Sequence, residues 1–388
     1  MYRVGMGCAC VLAIIVTWGQ AGEQHRNPQN EPPSKALIEV GPGFNPSWSP
    51  DGKQIACVAA LEKVGIYLVK PDGSGRQWIE SLARNTEPFS QSIPWWSPDG
   101  RQLAVAQASR LEREGPGSVR LEEPNIFVLD GVTQHAKQVT FRQMLDLDSV
   151  RWSPRGGKMA FVAEKQDVPL IPVEVLVFQE TDPTDPGKGE YVKREELHPP
   201  RAIWVVNSDG TEERQVTHDM GCNDTDPTWS PDETRIAFTR MEVEGKPGER
   251  MAIWVTQVDG TGLSRLTEGG WDFGPCWSPD GRLISYFHRT SKGDGELWVI
   301  APETRHCRRI VDAFQHPVDW FCPIVWHPDS QQIFFVSAGD LFIVHVDSGH
   351  IQRLTTDAGI KGHFSLAPDA KSAVFSREET LFVAQWEE

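Results

Sequence analysis

Trp48-Ser49-Pro50-Asp51-Gly52 recurs intact at Trp96–Gly100 and Trp277–Gly281, and altered copies stand at Trp152 (WSPRG), Trp229 (WSPDE), Trp326 (WHPDS) and Leu366 (LAPDA). Seven copies spaced roughly 40 to 77 residues apart define a repeat architecture. Around Trp229 the unit reads Asp226–Asp232, then Thr234–Thr239, Ile253–Thr256, Asp259–Thr261 and Ser264–Thr267. These are four short runs rich in β-branched and aromatic residues, separated by turn residues. In Ser-Pro-Asp-Gly the proline presets φ, the aspartate bonds its own backbone and the glycine takes a left-handed conformation. Asp-Gly-Thr or Asp-Gly-Ser, at Asp72, Asp209 and Asp259, supplies a second hairpin.

Each unit is therefore a four-stranded antiparallel meander. The third run recurs as Ile66–Val69, Asn125–Val128, Ile203–Val206, Ile253–Thr256, Leu297–Ile300, Leu341–Val344 and Leu381–Ala384. The fourth recurs as Gln138-Val-Thr, Gln215-Val-Thr, Arg265-Leu-Thr and Arg353-Leu-Thr. Meanders apolar on both faces stack radially, with the repeat tryptophan filling the gap between neighbours. The expected fold is all-β, a seven-bladed β-propeller. The last unit stops at its third run, Leu381–Trp386, and Lys35–Val40 reads as a fourth run with nothing before it. The N-terminal strand is expected to complete the last blade and remove the open edges.

Three segments are expected: a signal peptide over 1–21, a linker over 22–34 and the propeller over 35–388. Arg3, the apolar Val4–Trp18 and the small residues Gly19-Gln20-Ala21 carry the first. No transmembrane segment is expected after its cleavage, the location is expected to be periplasmic or secreted, and the propeller is expected to be a monomer. A formal charge of −16 disfavours nucleic acid, which demands a basic stripe. Cys57, Cys222, Cys276, Cys307 and Cys322 lie beyond the signal peptide without a CxxC pair. They read either as buried thiols or as including a Cys276–Cys322 bridge.

Long insertions fall between second and third runs, at Gln107–Pro124, Glu164–Arg201 and Met241–Arg250. They share a face with the segments leading into each first run, and long loops of this kind carry function. Acids collect in those leading segments: Asp146, Asp148, Asp224, Asp226, Asp272 and Asp319. Brought to the channel mouth, they either hold a cation, Ca²⁺ being suited to carboxylate oxygens, or attract a basic partner, or merely cap local turns. No other cofactor is expected. Trp271, Phe273 and Trp320 lie among them, as an adhesive patch or as packing between blades. His288, His316 and His363 are the histidines near this rim, with spacings that match no zinc signature. GxSxG, Walker and dinucleotide motifs are absent from the sequence.

Trp-Ser-Pro-Asp-Gly, followed by Arg/Lys-x-Ile/Leu-Ala and later by Ile-Trp-Val, Asp-Gly-Thr and Leu-Thr, resembles the WD40-like (PD40) repeats of TolB-type propellers. The resemblance covers nearly all of Lys35–Glu388 and implies a non-catalytic propeller that binds a protein or cell-envelope component. Seven-bladed oligogalacturonate lyases are similar in size and repeat type. That second resemblance implies a polysaccharide lyase with residues drawn from several blades.

Overall fold

The computed structural model describes residues 37–386 except 61–63, 80–92, 108–109, 116–117, 123, 132–134, 142–148, 167, 170, 181–188, 199, 243–250, 269 and 361. The expected signal peptide and linker therefore lie outside the described residues. Seven four-stranded antiparallel sheets form the blades of a β-propeller. Their inner strands are Phe44–Trp48, Trp95–Trp96, Arg151–Trp152, Cys222–Trp229, Asp272–Trp277, Val325–Trp326 and Phe364–Leu366.

The repeated pentapeptide is a self-bonded turn. In blade one the Ser49 hydroxyl donates to Asp51 at 2.7 Å, and Asp51 accepts from the Lys53 amide at 3.1 Å. The Gln54 amide returns to the Ser49 oxygen at 2.9 Å, while Gly52 takes a φ of 75°. The same set recurs at Ser97/Asp99 and Ser278/Asp280. The serine hydroxyl first, then the backbone amide, lowers the carboxyl pKa of Asp51 and Asp99. The glycine of Asp-Gly-Thr has a different constraint. A Cβ on Gly260, whose φ is 88°, would sit 2.7 Å from the Val216 carbonyl oxygen of the preceding blade.

In four of the repeats the tryptophan bonds across to the neighbouring blade, whereas Trp48 bonds the Gly52 carbonyl of its own turn. The indole N–H of Trp96 donates to the Ser47 carbonyl, Trp152 to Trp95, Trp229 to Arg151 and Trp326 to Cys276, at 2.8–3.2 Å. In each case the acceptor lies on the inner strand of the preceding blade. The cores are correspondingly shared: Ala160, Val162, Ile203 and Val205 of blade three pack with Trp229, Ile236 and Phe238 of blade four. The threonine ending the fourth run accepts an amide near the start of the third strand, as Thr217 does from Ile203 at 3.0 Å and Thr267 from Ile253 at 3.0 Å. That explains the Leu/Val-Thr repeat, which turn chemistry alone does not.

Closure follows the expected scheme. Ile38–Pro42 pairs antiparallel with Thr380–Gln385 as the outer strand of blade seven. The Tyr67 hydroxyl of blade one donates to the Pro42 carbonyl, and the Gly43 amide donates to Glu379 at 2.7 Å. Two insertions are hairpins rather than irregular loops: Arg110–Gly115 with Ser118–Glu122, and Ile171–Glu180 with Gly189–His198. Among the described strands, each pairs only with itself. The charged stretch Tyr191–Glu196 thus forms part of a strand.

Candidate functional site: the hairpin-bearing rim

The two connections on the hairpin side, second to third strand and outer to next inner strand, build a rim around one mouth of the channel. Asp146 and Asp148 lie outside the described residues. Asp224 is fully buried and gripped by two cations. Arg240 donates to its two oxygens at 2.6 and 2.9 Å and also reaches Asp219. The Lys165 ammonium lies 3.9 Å away and donates to the carbonyls of Asp219 and Cys222, both at 2.6 Å. Lys165 closes blade three's second strand, so this cage ties blade three to blade four. Burial, and next the Asp224 charge, raise the Cys222 thiol pKa.

Asp226 has another function in the chain path. The inner strands of blades one, four and five each carry a bulge, with Asn45, Asp226 and Gly274 at φ of 51°, 51° and 62°. Asn, Asp and Gly are the residue types that tolerate this conformation. Asp272 occupies the position of Asp224 one blade on and bonds the His288 Nδ1 at 2.7 Å. Asp319 accepts the Gly339 amide at 3.0 Å, bracing the blade-six hairpin. Burial raises its pKa against that bond.

The three histidines are not brought together. His288 pairs with Asp272, His316 lies 5.2 Å from the Phe342 ring and His363 meets the edge of Trp95 at 5.3 Å. Burial lowers the His316 pKa. Burial, then the Arg151 charge, pushes His363 down to about 3. Among the described residues, no group of three or more His, Cys, Asp or Glu side chains is placed to hold a metal ion. Cys57, Cys222, Cys276, Cys307 and Cys322 are free thiols.

Strand register divides the aromatics. Trp271, Phe273, Phe287 and Arg289 share one face of blade five, while Asp272 and His288 share the other. Phe273 stacks on Phe287 at 5.5 Å and meets Trp320 edge-on at 5.8 Å, so it seals blade five against blade six. Trp320 continues outward to Phe321, with ring centroids 3.7 Å apart.

Large apolar side chains at the surface reveal a bias the sequence pattern did not show. Among the described residues, the exposed ones are Ile38, Phe141, Met220, Phe314 and Phe321. All but Ile38 sit in segments running from an outer strand to the next inner strand, hence on the rim. Phe314 is 95% and Phe321 63% exposed. Phe141, Met220 and Phe314 show in the sequence as apolar residues inside largely polar loops, whereas Phe321, within the run Trp320–Val325, carries no such signal.

Fold and rim together define the class: a seven-bladed β-propeller that, among the described residues, carries four of its five exposed large apolar side chains on one face. No family model matches the chain. Its repeats are similar to the Tol-Pal system protein TolB of Rhizorhabdus wittichii, 42% identical over 57 residues, 14% of this chain and 13% of that protein. The uncharacterized peptidase YuxL of Bacillus subtilis is 25% identical over 198 residues, 40% of this chain and 30% of that one. The chain thus matches less than a third of the length of these curated relatives. Among solved structures, the oligogalacturonate lyase of Vibrio parahaemolyticus superposes with a TM-score of 0.58 at 16% identity, over 91% of this chain and 92% of that one. That likeness is one of fold.

Proposed function

We propose that the protein is an exported, monomeric and non-catalytic binding propeller of the periplasm or cell exterior. Its hairpin-bearing rim holds a protein or other envelope component. The observation that carries this reading is the placement of Phe141, Met220, Phe314 and Phe321 on the rim. Exposed aromatic and Met side chains are enriched where partners dock. The self-bonded pentapeptide turns occupy the opposite face, where they serve the ring. The test is recovery of envelope-fraction proteins on immobilised protein, with Phe314→Ser/Phe321→Ser compared against Lys53→Glu/Arg101→Glu on the turn face. Bands lost only with the phenylalanine pair support the rim. Bands lost only with the turn-face pair place binding on the other side.

One observation favours a second reading, that of a polysaccharide lyase. Half-exposed His288 is oriented by Asp272 at 2.7 Å, the arrangement of a positioned general base. Incubation with oligogalacturonate decides it: unsaturated product formed by the parent protein and lost in His288→Gln would favour the enzyme.

A further inference from the structure

The charge that the rim offers a ligand differs from the charge its sequence suggests. The four described acids that the sequence put forward have internal partners: Asp224 has Arg240 and Lys165, Asp226 the Thr225 hydroxyl, Asp272 has His288 and Asp319 the Gly339 amide. Arg289, at the end of blade five's second strand, is in the reverse situation. Its guanidinium carbon lies over two indoles, 5.6 Å from the Trp271 centroid and 5.5 Å from that of Trp320. It donates one long hydrogen bond, 3.4 Å, to the Gly293 carbonyl. Among the described residues no carboxylate lies within ion-pair distance of it, whereas nearby Arg309 is paired with both Glu296 and Asp312.

A guanidinium held by aromatic rings keeps in-plane N–H groups for a planar acceptor, and a carboxylate matches that fork. The neighbouring indoles lower the local polarity beside the guanidinium and so strengthen a charge pair there. Beyond Trp320, the exposed Phe321 ring extends the apolar floor, and Phe314 projects from the same segment between Val311 and Val325. Cation and apolar surface lie side by side.

We propose that this ledge between blades five and six is an acid-recognising docking subsite for a protein partner. It takes a segment with an Asp or Glu carboxylate on the Arg289 edge and an apolar side chain over Phe321. The inference rests on the rim being a protein-binding face and names the chemistry that face selects.

The probes are three short amidated peptides in which leucine alternates with glutamate, glutamine or lysine, titrated against the full chain by tryptophan fluorescence and calorimetry. The glutamate peptide should bind about tenfold more tightly than its glutamine twin, as expected for one charge-assisted contact. Arg289→Gln should abolish that preference while Phe314→Ser/Phe321→Ser weakens all the peptides together. Equal binding of the glutamate and glutamine peptides, or preference for lysine, overturns the acid assignment. So does a preference that survives Arg289→Gln. In each case, continued dependence on Phe314 and Phe321 leaves the rim reading standing. Absence of binding by every peptide at millimolar concentration overturns the subsite. Displacement of the glutamate peptide by oligogalacturonate at concentrations below that peptide's own Kd would make the ligand a sugar acid and overturn the protein assignment.

Discussion

Asp224 and Asp226 look alike in the sequence, two residues apart before the same tryptophan, yet their substitutions should behave differently. Asp224→Asn strips the Arg240 fork of its charge partner and leaves two cations buried. Breaking a buried pair from one side costs about 3–5 kcal/mol. Asp226→Asn keeps a residue type that tolerates its φ of 51° and should change stability by well under about 1 kcal/mol. Urea midpoints of the two variants compare them directly, and similar midpoints would rule out the buried cage. His363 gives a pH prediction. Its folded pKa is depressed to about 3 from an ordinary 6.5. The unfolded imidazole therefore binds a proton as pH falls below 6.5 while the folded one stays neutral. Its contribution to stability is complete above that pH and is lost progressively down to about 3. The urea midpoint of His363→Gln should fall less steeply than that of the parent between pH 6.5 and the acid limit; parallel curves would remove the linkage.

Among the elements, the N-terminal strand and the inserted hairpins make opposite predictions. Deleting the chain through Pro42 removes the partner of Thr380–Gln385 and the acceptor of the Tyr67 hydroxyl. The exposed edge should lower the melting temperature and promote aggregation in size-exclusion chromatography. A monomer that melts unchanged would show that closure lies elsewhere. Replacing Ile171–His198 by a short turn should leave the melting temperature within a few degrees, because that hairpin pairs only with itself. The four strands of each blade were legible from turn chemistry and repetition. The hairpins were only half legible: Val173–Gln179 is rich in β-branched residues like a strand, but its partner is a charged stretch whose pairing the sequence pattern does not mark.

For the whole molecule, the net charge of −16 and the local cation at Arg289 act over different ranges. An acidic partner should be slowed by long-range repulsion, so raising salt toward a Debye length of about 8 Å should increase its association rate. Stopped-flow rates that fall with salt would mean a cationic partner instead. The ring itself was written in the sequence. WSPDG, Asp-Gly-Thr and Leu-Thr each act through bonds within a few residues or to an adjacent strand, so their repetition specifies blades, blade number and closure. What the rim's residues do was decided only in three dimensions. Asp224 reads as a surface acid until Lys165, 59 positions earlier in the chain, arrives beside it with Arg240. Arg289 reads as an ordinary strand-end cation until strand pairing brings Trp271 and packing against blade six brings Trp320 to its guanidinium. Charge and apolar character belong to residues, but whether they are spent inside or left for a partner depends on neighbours that only the closed ring brings together.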